Sequence, residues 1–274
     1  MSYATLMVYV DVEGKIDGRV SVAADLARRF DAHLIGIASG APISVVLGDD
    51  AYNQAAAETS HLRDMKALLD EKVRQFRAAV GTNARRVEWR SVVGLQTDLV
   101  AREARAADLL IIGNVRESRD PFRALDPGSL ILKAGRPVLA VPNSVTSLSV
   151  KRVAVAWKDV REARRAVQDA LPFLRQAENV VIIEVCEEGG GDQALSRLRD
   201  VANYLARHGI KTIVERERPA DVTVTNSLLR LIEDENINLI IAGGYGHSRL
   251  GEWAYGGVTR DLLAQSPICC LFSH

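Results

Sequence analysis

Cysteine is scarce here: three residues among 274, too few for the framework of a disulfide-stapled fold. Cys269 and Cys270 are neighbours on an expected strand, where they would point to opposite faces, and Cys186 lies in another apolar run. Reduced, buried thiols are the expectation. An excess of either charge is also missing, with 35 Lys+Arg against 35 Asp+Glu. That balance argues against a nucleic-acid binder, which carries a basic surplus. No apolar run reaches membrane-spanning length, and the opening MSYATLMVYVDVEGK lacks the basic start and cleavage site of a secretion signal. A cytoplasmic protein is the expectation. Absent too are a G-x-G-x-x-G fingerprint after the first strand and a Gly-Lys-Ser/Thr phosphate loop. No carboxylate pair has a spacing that compels acid–base chemistry, and Asp98, Glu103, Asp221 and Glu233 read as ordinary helix-face or loop charges.

What is present is an internal repeat. Asp108 to Gly113 (DLLIIG) matches Asn238 to Gly243 (NLIIAG), and Arg136 to Val141 (RPVLAV) matches Ser266 to Leu271 (SPICCL), both displaced by 130 positions. The opening strands, Leu6 to Asp11 (LMVYVD) and Val153 to Lys158 (VAVAWK), are displaced by 147. The first copy therefore carries 17 extra residues, which fit best in the connection from Ser39 to Ala57. The chain divides into residues 1–147 and 148–274, joined through the small polar residues Asn143 to Ser149.

Each copy alternates apolar runs with amphipathic stretches. In the second, Arg152 to Trp157 predicts a strand, Glu162 to Leu174 a helix with Pro172 marking a kink or its last turn, and Val180 to Val185 a strand. Gln193 to His208 predicts a helix ended by Gly209, Ile210 to Val214 a strand, and Ser227 to Asn236 a helix. Leu239 to Ala242 is the fourth strand, and Ile268 to Phe272 the last. Continuous apolar strands between amphipathic helices indicate α/β architecture, a parallel sheet covered on both faces.

The richest local signal is Gly243 to Arg260, GGYGHSRLGEWAYGGVTR, with six glycines in eighteen residues. It leaves the fourth strand and enters a helix at about Thr259. Ligands of open parallel sheets sit beyond the carboxyl ends of the strands, and the first N–H groups of a helix attract anions. Gly243-x2-Gly246-x9-Gly256-Gly257 can thus cradle a phosphate on its main chain. On the glycines alone, a cradle and a purely structural loop remain equally open.

This spacing resembles the G-x2-G-x9-G-[S/T] motif that ATP-binding members of the universal stress protein (UspA-like) family carry after their fourth strand. The resemblance extends over the whole chain as two tandem copies, and the final strands Pro137 to Val141 and Pro267 to Phe272 fit it as well. It implies two open five-stranded parallel (Rossmann-like) sheets, pairing along the final strands, and ATP, with or without Mg, or another adenine nucleotide as ligand. Carried onto this chain, the implied site comprises Ala156, Lys158, Val185, Gly243, Gly246, His247, Gly256, Gly257, Val258 and Thr259.

Departures qualify the match. Gly257 stands where the motif has Ser or Thr, and Thr259 offers a hydroxyl two positions on. Lys158 stands where the family has Asp at the end of the first strand; it suits a phosphate's charge, or is a solvated strand-end lysine. The first copy departs further, with Arg116 aligned to Gly246 and Asp126-Pro127 aligned to Gly256-Gly257. Proline has no N–H to offer, and Asp126 would cap the helix with its own carboxylate. Asp11 keeps the first-strand acid, and Gly128-Ser129 is a shifted Gly-Ser ending. The first copy is expected to have lost its nucleotide and to pair with the second.

His247 and Ser248 are sequence neighbours, which seldom act as base and nucleophile, and read as loop residues beside the site. Gly189 to Gly191 reads as a turn, and Trp157 as core or pocket wall. Three classes of function follow: a nucleotide-binding stress or signalling protein without substantial catalysis, a structural module that docks another protein with no nucleotide, and a nucleotide-dependent enzyme. The intact glycine spacing favours the first over the second. The lack of a base, nucleophile or metal cluster disfavours the third. A homodimer is a further expectation.

Overall fold

A computed structural model describes residues 2–12, 17–40, 51–82, 84–114, 124–185, 191–217, 223–245 and 257–274. In the first half β1 (Thr5–Tyr9), β2 (His33–Gly40), β3 (Val87–Val93), β4 (Leu109–Gly113) and β5 (Val138–Val141) alternate with α1 (Asp17–Phe30), α2 (Ala51–Val80), α3 (Gln96–Glu103) and α4 (Pro127–Lys133). In the second half the strands are β6 (Arg152–Ala156), β7 (Asn179–Val185), β8 (Thr212–Glu217), β9 (Leu239–Gly243) and β10 (Cys269–Ser273). The helices are α5 (Arg161–Asp169), the single turn α6 (Leu171–Leu174), α7 (Gly191–Arg207), α8 (Val224–Asp234) and α9 (Gly257–Gln265).

The ten strands among the described residues form one sheet in the order β3-β2-β1-β4-β5-β10-β9-β6-β7-β8. Each half thus has the same 3-2-1-4-5 order, parallel throughout, and the halves meet where β5 runs antiparallel to β10. At that seam Leu139 faces Leu271, and Ala140 faces Cys270. Because side chains alternate along a strand, Leu6, Val8, Val155, Ile241 and Leu271 enter one core and Met7, Tyr9, Ala154, Ile240 and Phe272 the other. Cys269 and Cys270 divide between those cores as expected, and burial pushes both thiols up to about 12.

Local chemistry ends the helices. Asp31, Gly209 and Asn236 take left-handed conformations after α1, α7 and α8. In each case the next N–H reaches back five residues: Ala32 to the Ala27 oxygen, Ile210 to that of Leu205, and Ile237 to that of Ile232. These are Schellman motifs closed by a buried apolar residue. Ile210 therefore belongs to the cap of α7, and its strand starts two residues later than its hydrophobicity suggests. The stretch after Val160 divides at Ala170, and Pro172 lies in the opening of α6, where a missing N–H costs nothing.

Two expected connections are different in kind. Ser39 and Gly40 complete β2, and the tract from Ala51 begins α2, 30 residues long against 17 for α7. Much of the extra length of the first half is helix. The joining segment is docked: Leu148 and Val150 are buried, and the Arg29 guanidinium spans from the Leu148 carbonyl at 2.8 Å to Gln176 Oε1 at 2.6 Å. Beside it, Tyr3, Phe30 and Phe173 form a triad with ring centroids 5.1 to 5.5 Å apart, and the Tyr3 hydroxyl donates to the Asp169 carbonyl at 2.6 Å. Phe173 comes from the second half, so this cluster locks the halves together on one face.

Candidate functional site

In a 3-2-1-4-5 sheet the chain order reverses between the first and fourth strands, and a crevice opens beyond their carboxyl ends. In the second half these strands are β6 and β9, paired with Ala156 opposite Ala242 and, on the other side, Ala156 opposite Ile183. Continuing those registers brings Lys158 level with Gly244 and with Val185. Ala156, Lys158, Val185 and Gly243 thus gather at one edge of the sheet. Lys158 is exposed there, while Ala156 and Val185 are half-buried against the core. Gly246, His247 and Gly256 lie outside the described residues.

The loop's first residues are held by packing on both sides. A Cβ on Gly243 would come within 2.7 Å of the Ala163 nitrogen and 2.8 Å of the Glu162 carbonyl carbon, so the bare backbone lets α5 approach β9. A Cβ on Gly244 would meet Ile131 of the first half at 2.6 Å. Tyr245 follows at φ +58, a left-handed conformation that is strained for an aromatic residue. Its side chain is buried, and its hydroxyl comes within 2.5 Å of where a Gly128 Cβ would stand. Gly128, the shifted glycine of the first half, thus makes room for this ring.

The far end of the loop is anchored by Thr259, whose buried Oγ1 accepts the Tyr245 N–H at 3.4 Å. Its hydroxyl proton remains a donor. Val258 is half-buried against the core. Gly257, the first residue of α9, is exposed, and among the described residues no atom lies within 4 Å of its Cβ position.

Charged groups surround the exit of β9. Glu162 is buried beside Gly243, yet its carboxyl is held below the usual range: burial pushes it up, and the Arg161 hydrogen bond at 2.6 Å, with its own backbone N–H, outweighs that. Arg161 also contacts His274 Nε2 at 3.2 Å, and His274 Nδ1 lies 3.0 Å from the Gly244 carbonyl. Those partners fit a neutral imidazole with its proton on Nδ1. Arg161, Glu162, Tyr245 and His274 escape sequence reasoning because their contacts join distant segments; an aromatic set among glycines was the one available signal.

The first half builds the same edge differently. Asp126 caps α4, accepting from the Gly128 and Ser129 N–H groups at 3.3 and 3.0 Å, with Pro127 next. Over Gly113 lies the buried Arg19 guanidinium, 2.8 Å from where a Cβ would stand and donating to the Tyr9 carbonyl at 2.9 Å. Of the charges read as ordinary helix-face or loop groups, Asp98 is exposed and pairs with Lys133, and Glu233 is exposed. Glu103 differs: it is buried and held by Arg90 and Arg105 at 2.8 and 2.9 Å. Asp221 lies outside the described residues. Among the described residues no three His, Cys, Asp or Glu side chains are grouped to hold a metal ion. No helix of those residues is long and apolar enough to cross a membrane.

No protein-family model matches this chain, and no curated protein sequence does. Solved structures do. A universal stress protein from Archaeoglobus fulgidus DSM 4304 superposes with a TM-score of 0.75 at 16 % identity, over 97 % of this chain and 95 % of that one. A protein of unknown function from Pseudomonas aeruginosa PAO1 gives 0.60 at 15 % identity over 99 % and 92 %. A protein from Pseudomonas aeruginosa UCBPP-PA14, described as a universal stress protein, gives 0.61 at 15 % identity over 99 % and 93 %. The tandem α/β fold of these proteins is the fold of this chain along its full length.

Proposed function

We propose that the chain is a tandem universal stress protein that binds an adenine nucleotide, ATP foremost, through the loop between β9 and α9, and acts in stress response or signalling without substantial catalysis. One contrast carries this proposal. Two copies of a helix entry stand at equivalent places; in the first a carboxylate and a proline occupy it, and in the second stands Gly257, which no atom of the described residues crowds. An open helix N-terminus beyond the carboxyl end of a fourth strand suits a phosphate. Residues Gly243, Gly246, His247 and Gly256–Thr259 would surround the phosphates, with Lys158 as a nearby cation and Ala156 and Val185 beside the base and sugar.

The first half, with Arg19 over Gly113 and Asp126 on its helix, serves as the partner that completes the sheet. The division into units 1–147 and 148–274, a cytoplasmic location and a homodimer of whole chains belong to the same proposal. Mass spectrometry of the denatured protein, followed by calorimetric ATP titration, tests it. About one nucleotide per chain is expected, lost on Gly246→Asp or Gly256→Asp. Absence of nucleotide in both experiments transfers the weight to a protein-docking module, and sustained ATP turnover abolished by the same substitutions would establish an enzyme.

A further inference from the structure

The halves differ on the face that carries α1, α2, α5 and α7. In the first half α1 packs directly against α2. In the second, a cavity of about 440 Å³ opens between α5 and α7. That volume is within the range of small-molecule sites. None of the residues assigned to the glycine-loop site lines it. Trp157, Val167, Val201 and Tyr204 supply aromatic and apolar wall.

The charged groups decide what such a wall accepts. Arg164 is held by Asp159 at 2.7 Å, and Arg197 by Glu184. Both cations are thereby neutralised. Asp200 also lines the cavity, from the exposed side of α7, and no hydrogen bond or ion pair of the described residues engages its carboxylate. Of the charged lining residues, Arg164 is matched by Asp159 and Arg197 by Glu184, which lies outside the wall, so Asp200 is the carboxylate left to meet a ligand. An anionic nucleotide finds no free partner here.

We infer that this cavity binds a small organic cation, an amine on an aromatic or aliphatic body. The ammonium group pairs with Asp200 and lies near the ring faces of Trp157 and Tyr204, which attract cations. The body fills the space against Val167 and Val201. The site is independent of the nucleotide site, so failure of ATP to bind leaves its test intact.

The test uses the full chain and phenethylamine as probe, with 2-phenylethanol and phenylacetate as neutral and anionic analogues of the same shape. Calorimetry and tryptophan fluorescence are the readouts. Saturable binding is expected, strongest for the amine and weakest for the acid. Asp200→Asn, on an exposed position, should weaken the amine at least tenfold and leave the melting temperature in place. Val201→Trp should fill the cavity and abolish binding, and Trp157→Phe should remove the fluorescence change. The inference is overturned if the wild-type chain shows no saturable binding of phenethylamine, if phenylacetate binds as tightly, or if Asp200→Asn binds the amine as the wild type does.

Discussion

Replacing Gly256 by Asp and Gly257 by Pro together would write the first half's helix entry into the second. Folding should tolerate it. At position 257 no atom of the described residues lies within 4 Å of a side chain's first carbon, so none of them blocks a proline ring. Asp in place of Gly at an N-cap gains a few tenths of a kcal/mol, and Pro for Gly at a compatible site about 0.4–1 kcal/mol. The ligand should not tolerate it. In the first half the Asp126 carboxylate takes two N–H groups at 3.3 and 3.0 Å. A phosphate on the same groups would compete for them and face a like charge. Two unit charges about 4 Å apart repel by about 4 kcal/mol at an effective dielectric constant of about 20, and water reduces this to about half at an open site. Losing one N–H bond to a charged group adds about 1.5–3 kcal/mol. The sum, about 3–5 kcal/mol, corresponds to a hundredfold or greater rise in Kd. ATP titration calorimetry and thermal melting, run on the same preparations, check both halves of this expectation. A folded double variant that binds ATP within threefold of the wild type would refute the cradle.

Gly128→Ala should cost about 1–3 kcal/mol, as overpacking does, because its Cβ would lie 2.5 Å from the Tyr245 hydroxyl oxygen. Tyr245→Phe removes that oxygen, so the double variant should recover most of the loss in urea denaturation; costs that simply add would show that the contact is not felt. Glu103 supplies a pH prediction. Burial pushes its carboxyl up, but hydrogen bonds and charge from Arg90 and Arg105 more than offset this, and it titrates below its ordinary value. A folded-state pKa below the unfolded one gives stability that is present above the unfolded value and lost as pH falls through the folded one. Glu103→Gln should therefore flatten the fall in urea midpoint at acid pH, and an unchanged acid limb would count against the network. Cys269 and Cys270, pushed up to about 12, should resist iodoacetamide at pH 8 in the native chain and react in denaturant, as peptide mass mapping would reveal.

Most of the fold is legible in the sequence because strands buried on both faces carry their pattern openly. NLIIAG and DLLIIG announce equivalent strands, and adjacent cysteines must part to opposite cores when the side-chain period is two. Periodicity does not say which edge strands meet. Pairing along the final strands is only what the family resemblance implies, the antiparallel direction of the β5–β10 seam is seen in the structure alone, and its support from Tyr3, Phe30 and Phe173 joins residues up to 170 positions apart. Ser39 to Ala57 reads as a connection because the 17 residues that the first copy has in excess fit there, yet Ala51 onward is helix. Asn143 to Ser149 reads as a linker from its polar residues, while Leu148 decides where it lies.

At the site, spacing locates the loop but does not divide its glycines by task. Gly243 and Gly244 are explained by neighbours: α5 crowds one face of the strand end, and Ile131 of the other half crowds the other. Their place in the motif would persist with no ligand at all. Gly257 has no such neighbour among the described residues, whose packing does not demand a glycine there. The first half separates the two tasks in the same way. It keeps Gly113, where Arg19 presses on the backbone, and replaces the helix entry with Asp126 and Pro127 while α4 still forms. A duplicated loop can give up its ligand without giving up its fold because the described contacts that seat it, at Gly243, Gly244, Tyr245 and Thr259, do not involve the helix entry at Gly257. It is Gly256 and Gly257, therefore, rather than the glycine count of the whole stretch, on which the nucleotide proposal depends.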